Sequence, residues 1–325
     1  MRPLKILTWN THGSYLYYLT HAPHEFYVLS KPGRPPGYGG RGGPIPWGTN
    51  VHDLPAATVR DHEFDCIIFQ DDDQYEKDQY ELLTAAQRAL PRIYVEHDPP
   101  RRHATDTVHP IDDPGTLLVH VTHFNNLMWD SGRTPTMVIE HGVRIPAKVS
   151  YGGELARGLS VIHNLRLRGR RLGADIYARA AAAVPLDLVG MDSTSMGGIG
   201  DIPHPDMRAF AARYRFMFYP MRYTSLGLAA IEAMMIGMPL VALATAEMVT
   251  VIENGENGFI DTNADALHMY MNELVRNPAL ARHLGANAQR TARERFGIDR
   301  FAADWNAALR QVTGTTVASA VQRRA

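Results

Sequence analysis

Residues 218–241 read F-Y-P-M-R-Y-T-S-L-G-L-A-A-I-E-A-M-M-I-G-M-P-L-V. A strand end passes through a short loop, with Thr224 and Ser225 expected at the N-cap, into a helix expected to begin at Leu226. A helix start at the carboxyl end of a sheet presents free backbone N–H groups and the positive end of the helix dipole, which suits a diphosphate. Glu232 follows on an otherwise apolar helix. A carboxylate there must find donors. Two sources fit equally well: the hydroxyls of a ribose, or a nearby arginine within the same domain.

A second cluster, N-L-R-L-R-G-R-R-L-G at 164–173, places Arg166, Arg168, Arg170 and Arg171 directly after an expected strand. Guanidinium groups beside glycine at a strand end are bidentate donors for phosphate oxygens. The competing reading is a solvated basic loop. Aromatic residues are not interleaved with these arginines, so a nucleic-acid patch is disfavoured. In the first half, Asn10-Thr11-His12-Gly13-Ser14 follows a strand but lacks G-x-G-x-x-G, so no dinucleotide fingerprint is present. His97 closes the strand Arg92–Glu96, and His120, His123 and Asn125 surround the end of the next. His120 and His123 do not match a zincin helix, and no metal site is expected. Cys66, the single cysteine, lies in D-C-I-I-F and reads as a buried, inert strand residue of a reducing compartment.

These residues need a scaffold that brings strand ends together. Apolar runs of four to six residues alternate with helical stretches, as a parallel sheet covered on both faces requires. Strands are expected at Leu4–Trp9, Cys66–Phe69, Arg92–Glu96, Thr116–Val121 and Met137–Glu140, with one helix over Tyr75–Leu90. Residues 31–48, K-P-G-R-P-P-G-Y-G-G-R-G-G-P-I-P-W-G, form a long loop. A polar stretch at 144–158 reads as a linker. The pattern then restarts, with strands at Leu159–His163, Leu186–Gly190, Phe216–Tyr219, Pro239–Ala244 and Phe259–Asp261, and closing helices near 263–275, 278–295 and 299–312. The expected architecture is α/β: two Rossmann-like domains, 1–150 and 151–298, facing each other across a cleft, with a C-terminal helix within 299–325 crossing back to the first.

With 325 residues and 45% hydrophobic side chains, the chain is long enough for two cores, which excludes a disordered segment or a fibre. Thirty-three basic and 34 acidic side chains give a net charge of -1, so no global field recruits nucleic acid. The 19-residue apolar run 226–244 approaches the length of a membrane span, but Glu232 and Gly237-Met238-Pro239 interrupt it, and helix, turn and strand fit better. The first residues lack the apolar core of a secretory signal, which points to the cytoplasm.

The 218–241 stretch resembles the signature of retaining GT-B glycosyltransferases of family 4 (glycosyl transferases group 1), a strand followed by E-G-F-G-L-x-x-x-E-A-M-A-x-G-x-P-V-V. Gly227, Leu228, Glu232, Ala233, Met234, Gly237 and Pro239 fall in register. V-I-E-N-G-E-N-G-F-I at 251–260 resembles the family's V-I-x-D-G-x-N-G-x-L turn, and V-I-E-H-G-V at 138–143 its V-I-P-N-G-V. The resemblance covers most of 138–310. It implies transfer of a sugar from a nucleotide diphosphate sugar to an acceptor hydroxyl with retention, without a metal or other cofactor. Arg168 and Arg171 would neutralise the diphosphate, and Glu232 would hold the ribose. Arg222, Thr224, Ser225, Leu226, Gly227 and Leu228 would complete the donor site. Gly13 would let the backbone approach the donor, and His97 would stand beside the sugar's reactive carbon. The acceptor would be a saccharide, a lipid-linked or a small molecule, with peripheral contact at the inner face of the membrane and a place in polysaccharide biosynthesis.

Two departures stand out. The first glutamate of the family's E-x7-E pair falls at Thr224, a neutral and weaker partner for a sugar hydroxyl. The family's Gly-Gly dipeptide is replaced by Ala246-Glu247-Met248, and an acidic side chain near a diphosphate is unfavourable unless it turns toward sugar hydroxyls. A nucleotide-sugar epimerase of the same fold and a non-catalytic nucleotide-sugar binder are the alternatives.

Overall fold

The structure, a computed structural model, describes residues 2–146 and 148–314. Two sheets organise it, and every strand pair within them is parallel. The first is built from β1 (Lys5–Thr8), β2 (Glu25–Ser30), β3 (Val51–Pro55), β4 (Cys66–Phe69), β5 (Arg92–Glu96), β6 (Thr116–His120) and β7 (Thr136–Val138), in the order β3-β2-β1-β4-β5-β6-β7. The second holds β8 (Leu155–Val161), β9 (Leu186–Val189), β10 (Tyr214–Tyr219), β11 (Leu240–Leu243) and β12 (Gly258–Asp261), in the order β12-β11-β10-β8-β9. The central strands β4, β10 and β11 are buried along their whole length, which is why β4 and β11 read as unbroken apolar runs, while β10 also buries Arg215, whose Nε donates to Gly153 O.

The helices are α1 (Gly13–Leu19), α2 (Gln79–Leu82), α3 (Ala85–Arg88), α4 (His123–Met128), α5 (Leu165–Arg168), α6 (Ala174–Ala183), α7 (His204–Ala211), α8 (Leu228–Ile236), α9 (Ala264–Arg276), α10 (Pro278–Arg295) and α11 (Ile298–Val312). α11 packs against α1 of the seven-stranded half, with Phe301 and Trp305 fully buried. Gly142 permits the crossing, because a Cβ there would lie 2.1 Å from Phe301 Cβ. The expected tail beyond 314 lies outside the described residues, as does Ala147 of the expected linker.

Several boundaries differ from the sequence reading. β2 and β3 were not expected; β3 is an edge strand, V-H-D-L-P, whose polar residues and terminal proline read as loop. The long 31–50 segment joins these two parallel strands without a helix. The single helix expected over Tyr75–Leu90 breaks into a π turn at Gln74–Asp78, then α2 and α3. Leu83 is extended, and Thr84 restarts the chain with a capping box to Gln87. β8 begins at Leu155 and ends at Val161, so its first residues come from the expected linker; their polar character hid a central strand in which Arg157 pairs with Asp187. Among the described residues no helix is long and apolar enough to cross a membrane, since the 226–244 run divides into α8, a turn at Gly237 and β11.

Candidate active site

In the five-stranded sheet the strand order reverses between β8 and β10, and ligands of open α/β sheets bind in the crevice outside such a switch point. A cleft of about 480 Å³ opens there, within the range of small-molecule sites. Arg168, Thr224, Gly227, Leu228 and Glu232 line it together from the five-stranded half, and Ser14 and Pro44 close it from the seven-stranded half.

α8 begins at Leu228, two residues later than expected. Gly227 is its N-cap, and neither Thr224 nor Ser225 caps it, because 222–227 stays non-helical. The reason is Tyr219 at the end of β10: its buried hydroxyl accepts from Gly227 N–H (3.2 Å) and donates to Ser225 O (3.2 Å), pinning the loop. Leu228 and Ala229 N–H are thereby the donors left without an acceptor among the described residues, at the positive end of the helix. Ser225 and Leu226 are buried in the loop and do not line the cleft.

The arginine-rich segment is a turn of helix, α5, followed by a 3₁₀ turn over Gly169–Leu172. It docks on β10 through Gly173, whose φ is +79° and whose Cβ would lie 2.0 Å from Pro220 O. Its arginines part company. Arg168 lines the cleft. Arg171 Nη1 is buried without a hydrogen-bond partner among the described residues; burial, then Arg168 and Arg101, lower its pKa, the signature of a cation lacking an anion. Arg170 and Arg222 turn instead to Asp175 at 2.6 Å each, holding its carboxyl down to about 2. Arg222 therefore faces a neighbouring depression with Asp175 and Arg179, away from the cleft at the switch point.

Glu232 is buried, and both hydrogen bonds it accepts converge on Oε1: Tyr18 Oη donates at 2.6 Å and Arg208 Nη2 at 2.7 Å. The arginine-pairing alternative is thus realised, with a partner on α7, and a tyrosine from across the cleft joins it. Burial raises the Glu232 pKa, but His204, Arg208 and Tyr18 outweigh it and hold the group below the ordinary carboxylate value. The carboxylate is ionised and still borders the cleft.

On the facing side, Gly13 opens α1 beside Ile45 of the glycine-rich loop. His97 sits at the end of β5 under His12, ring centroids 4.1 Å apart, with Tyr15 edge-on at 4.7 Å and Gln70 Oε1 at 3.3 Å from Nε2. Burial holds its pKa well below the ordinary value, so it is a neutral imidazole. It stands behind the exposed His12 and does not itself line the cleft.

Glu247 does not line the cleft. It is 2% exposed, accepts Phe124 N–H from α4 (2.7 Å), and pairs with Arg295 Nη2 (3.0 Å), which also reaches Glu140 (2.5 Å). Sequence reasoning missed this network, and it missed Tyr18, Arg208, His204 and the cleft-lining Asp201. Only the i, i+4 spacing of His204 and Arg208 on one helix face was open to sequence inspection. Among the described residues no group of three or more His, Cys, Asp and Glu side chains is placed to hold a metal ion.

Residues 196–291 match the family Glycosyl transferases group 1. No curated protein matches the chain by sequence. Among solved structures, sucrose-phosphate synthase from Thermosynechococcus elongatus is similar with a TM-score of 0.65 and 14% identity, over 97% of this chain and 100% of that one. A glycosyltransferase from Rickettsia africae aligns with a TM-score of 0.63 and 11% identity over 97% and 100% of the two chains. HepE from Anabaena, solved with UDP, aligns at 0.60 and 14% over 97% and 100%. Two parallel sheets facing across a cleft, matched over nearly their whole length by such structures, are the GT-B fold. The family match falls within the five-stranded half, on the segment that carries α7, β10, α8 and β11.

Proposed function

We propose that the cleft at the β8/β10 switch point holds the nucleotide diphosphate sugar, with residues 1–150 forming the acceptor side and 151–298 the donor side. One observation carries this: the unsatisfied N–H groups of α8, Arg168 and the ionised Glu232 share one cleft. The diphosphate lies at Leu228 and Ala229 N–H with Arg168 and Arg171, whose unpartnered Nη1 gains an anion there. Glu232 accepts from the ribose, and Thr224 from a sugar hydroxyl. HepE has been solved with UDP and with UDP-glucose, which supports a nucleotide in this place.

The sugar extends toward Gly13 and the His12–His97 pair, where a neutral imidazole serves as a hydrogen-bond partner. The bond from the anomeric carbon to the β-phosphate oxygen breaks while guanidinium and N–H groups stabilise the charge left on the diphosphate, the dominant electrostatic contribution. The acceptor oxygen bonds to that carbon on the same face, and its proton passes to the departing phosphate oxygen. The acceptor class, saccharide, lipid-linked or small molecule, and a role in polysaccharide biosynthesis at the inner membrane face belong to this proposal. The basic loop Arg101-Arg102-His103 opposite Arg171 supports an anionic acceptor or surface.

Calorimetric titration with UDP, GDP and ADP tests the reading. At least one binds, and Glu232→Ala weakens it roughly 10- to 100-fold, the worth of a charged hydrogen bond. Binding of none of the three, or unchanged affinity in the variant, defeats the assignment. Product analysis with the sugar form of the bound nucleotide then separates transfer from epimerisation.

A further inference from the structure

Tyr18 and Glu232 are 214 residues apart and come from opposite sides of the cleft, α1 and α8. Their contact is closed into a buried triangle by Arg208 on α7, whose Nη2 lies 2.6 Å from Tyr18 Oη and 2.7 Å from Glu232 Oε1. Arg208 Nη2 also donates to His204 Nε2 at 2.9 Å. Every bond the triangle makes to the carboxylate uses Oε1, while Oε2 accepts none among the described residues. Two donors on one oxygen fix the plane of the group, and the second oxygen keeps its lone pairs for a ligand.

We propose that Tyr18 and Arg208 are positioning residues that aim Glu232 Oε2 at the ribose of the nucleotide, so that a side chain of the acceptor half sets how well the donor half reads a ribose. The inference rests on the assignment of Glu232 to the ribose. Tyr18 can reach Glu232 only while the two halves meet as they do here. The ribose contact is then at full strength in the assembled cleft and weaker whenever the halves part, which couples nucleotide grip to closure. Arg208 alone supplies charge but one fixed direction; Tyr18 supplies the second constraint that orients the carboxylate.

The test compares the tightest binder among UDP, GDP and ADP with its 2′,3′-dideoxy counterpart by calorimetry on the full chain. In the wild type the ribonucleotide binds at least tenfold tighter. Glu232→Gln collapses that ratio. Tyr18→Phe, which keeps the ring, lowers ribonucleotide affinity about tenfold and leaves the dideoxy affinity unchanged, an effect that general destabilisation does not produce. Arg208→Lys, which retains the charge but loses the planar Nη2 that touches both Tyr18 and Glu232, lowers the ratio in the same direction. If Glu232→Gln erases the ratio while Tyr18→Phe and Arg208→Lys both keep it, the positioning role is wrong and the ribose assignment stands. If Glu232→Gln keeps the ratio, or no ribonucleotide binds, the ribose assignment fails and this inference falls with it.

Discussion

Replacing Arg295 by methionine isolates one of the contacts that tie the two halves together. Its guanidinium bridges Glu140, at the end of the seven-stranded half, and Glu247, in the five-stranded half; Nη1 also donates to Thr250 O at 2.6 Å. Glu247 is almost wholly buried and keeps a second partner, Phe124 N–H. Removing one member of a buried pair leaves an uncompensated charge and costs about 3–5 kcal/mol. Arg295 and Glu140 retain some exposure, which favours the lower figure, about 3 kcal/mol. For a chain of 325 residues, 1 kcal/mol shifts the melting temperature by roughly 1.5 °C, so a fall of about 4–5 °C is expected by calorimetry or thermal shift. Glu247→Gln removes the stranded charge while keeping an oxygen for Phe124 N–H. Introduced into Arg295→Met, it restores about half of the loss, although alone it costs about 1 kcal/mol. Strict additivity of the two variants would show that the pair is uncoupled and refute the reasoning.

Gly173→Ala forces a Cβ against Pro220 O at a positive φ, and a loss of at least about 2–3 kcal/mol together with weakened nucleotide affinity is expected; a neutral melting temperature would contradict the docking of the arginine turn on β10. Asp175→Asn, by contrast, changes stability by less than about 1 kcal/mol despite the low pKa of Asp175, because its arginine pairs are exposed and solvent-screened. A larger drop in urea unfolding would mark that cluster as structural. His24, His120 and His141 are buried and neutral, their pKa values lowered by burial to about 4, 3 and 4. The unfolded chain binds protons there first, so this stability is complete above the ordinary value near 6.5 and is lost as pH falls toward 4, by up to about 3 kcal/mol per group. Urea midpoints that stay level between pH 7 and pH 4.5 would rule this out.

Much of the molecule was legible because local burial writes itself into local pattern. Strands such as Arg92–Glu96 and the helix Pro278–Arg295 appear in the sequence with their observed ends. The run from β10 through α8 to β11 carries its own punctuation in Gly237 and Pro239. What misled the reading was also local: a polar half-strand at Leu155–Arg157 resembled linker, and Thr224-Ser225 resembled an N-cap because nothing nearby in sequence announces that Tyr219 holds that loop open.

The sequence by itself determined two parallel α/β halves, a helix start after a strand, an arginine turn after a strand and a carboxylate on an apolar helix. Each follows from residue types within a window of a few turns. Only the tertiary structure decided which of these groups already have partners. Arg222 is committed to Asp175, Arg171 is left with an unpartnered nitrogen, and Glu232 is shared between Arg208 and a tyrosine from the far side of the cleft. Glu247 is spent on the backbone N–H of Phe124 and on Arg295. The reason is physical: hydrophobic periodicity specifies which face of an element is buried, whereas the pairing of a charge depends on groups brought within 3 Å by the packing of one half against the other, and no local pattern encodes that distance.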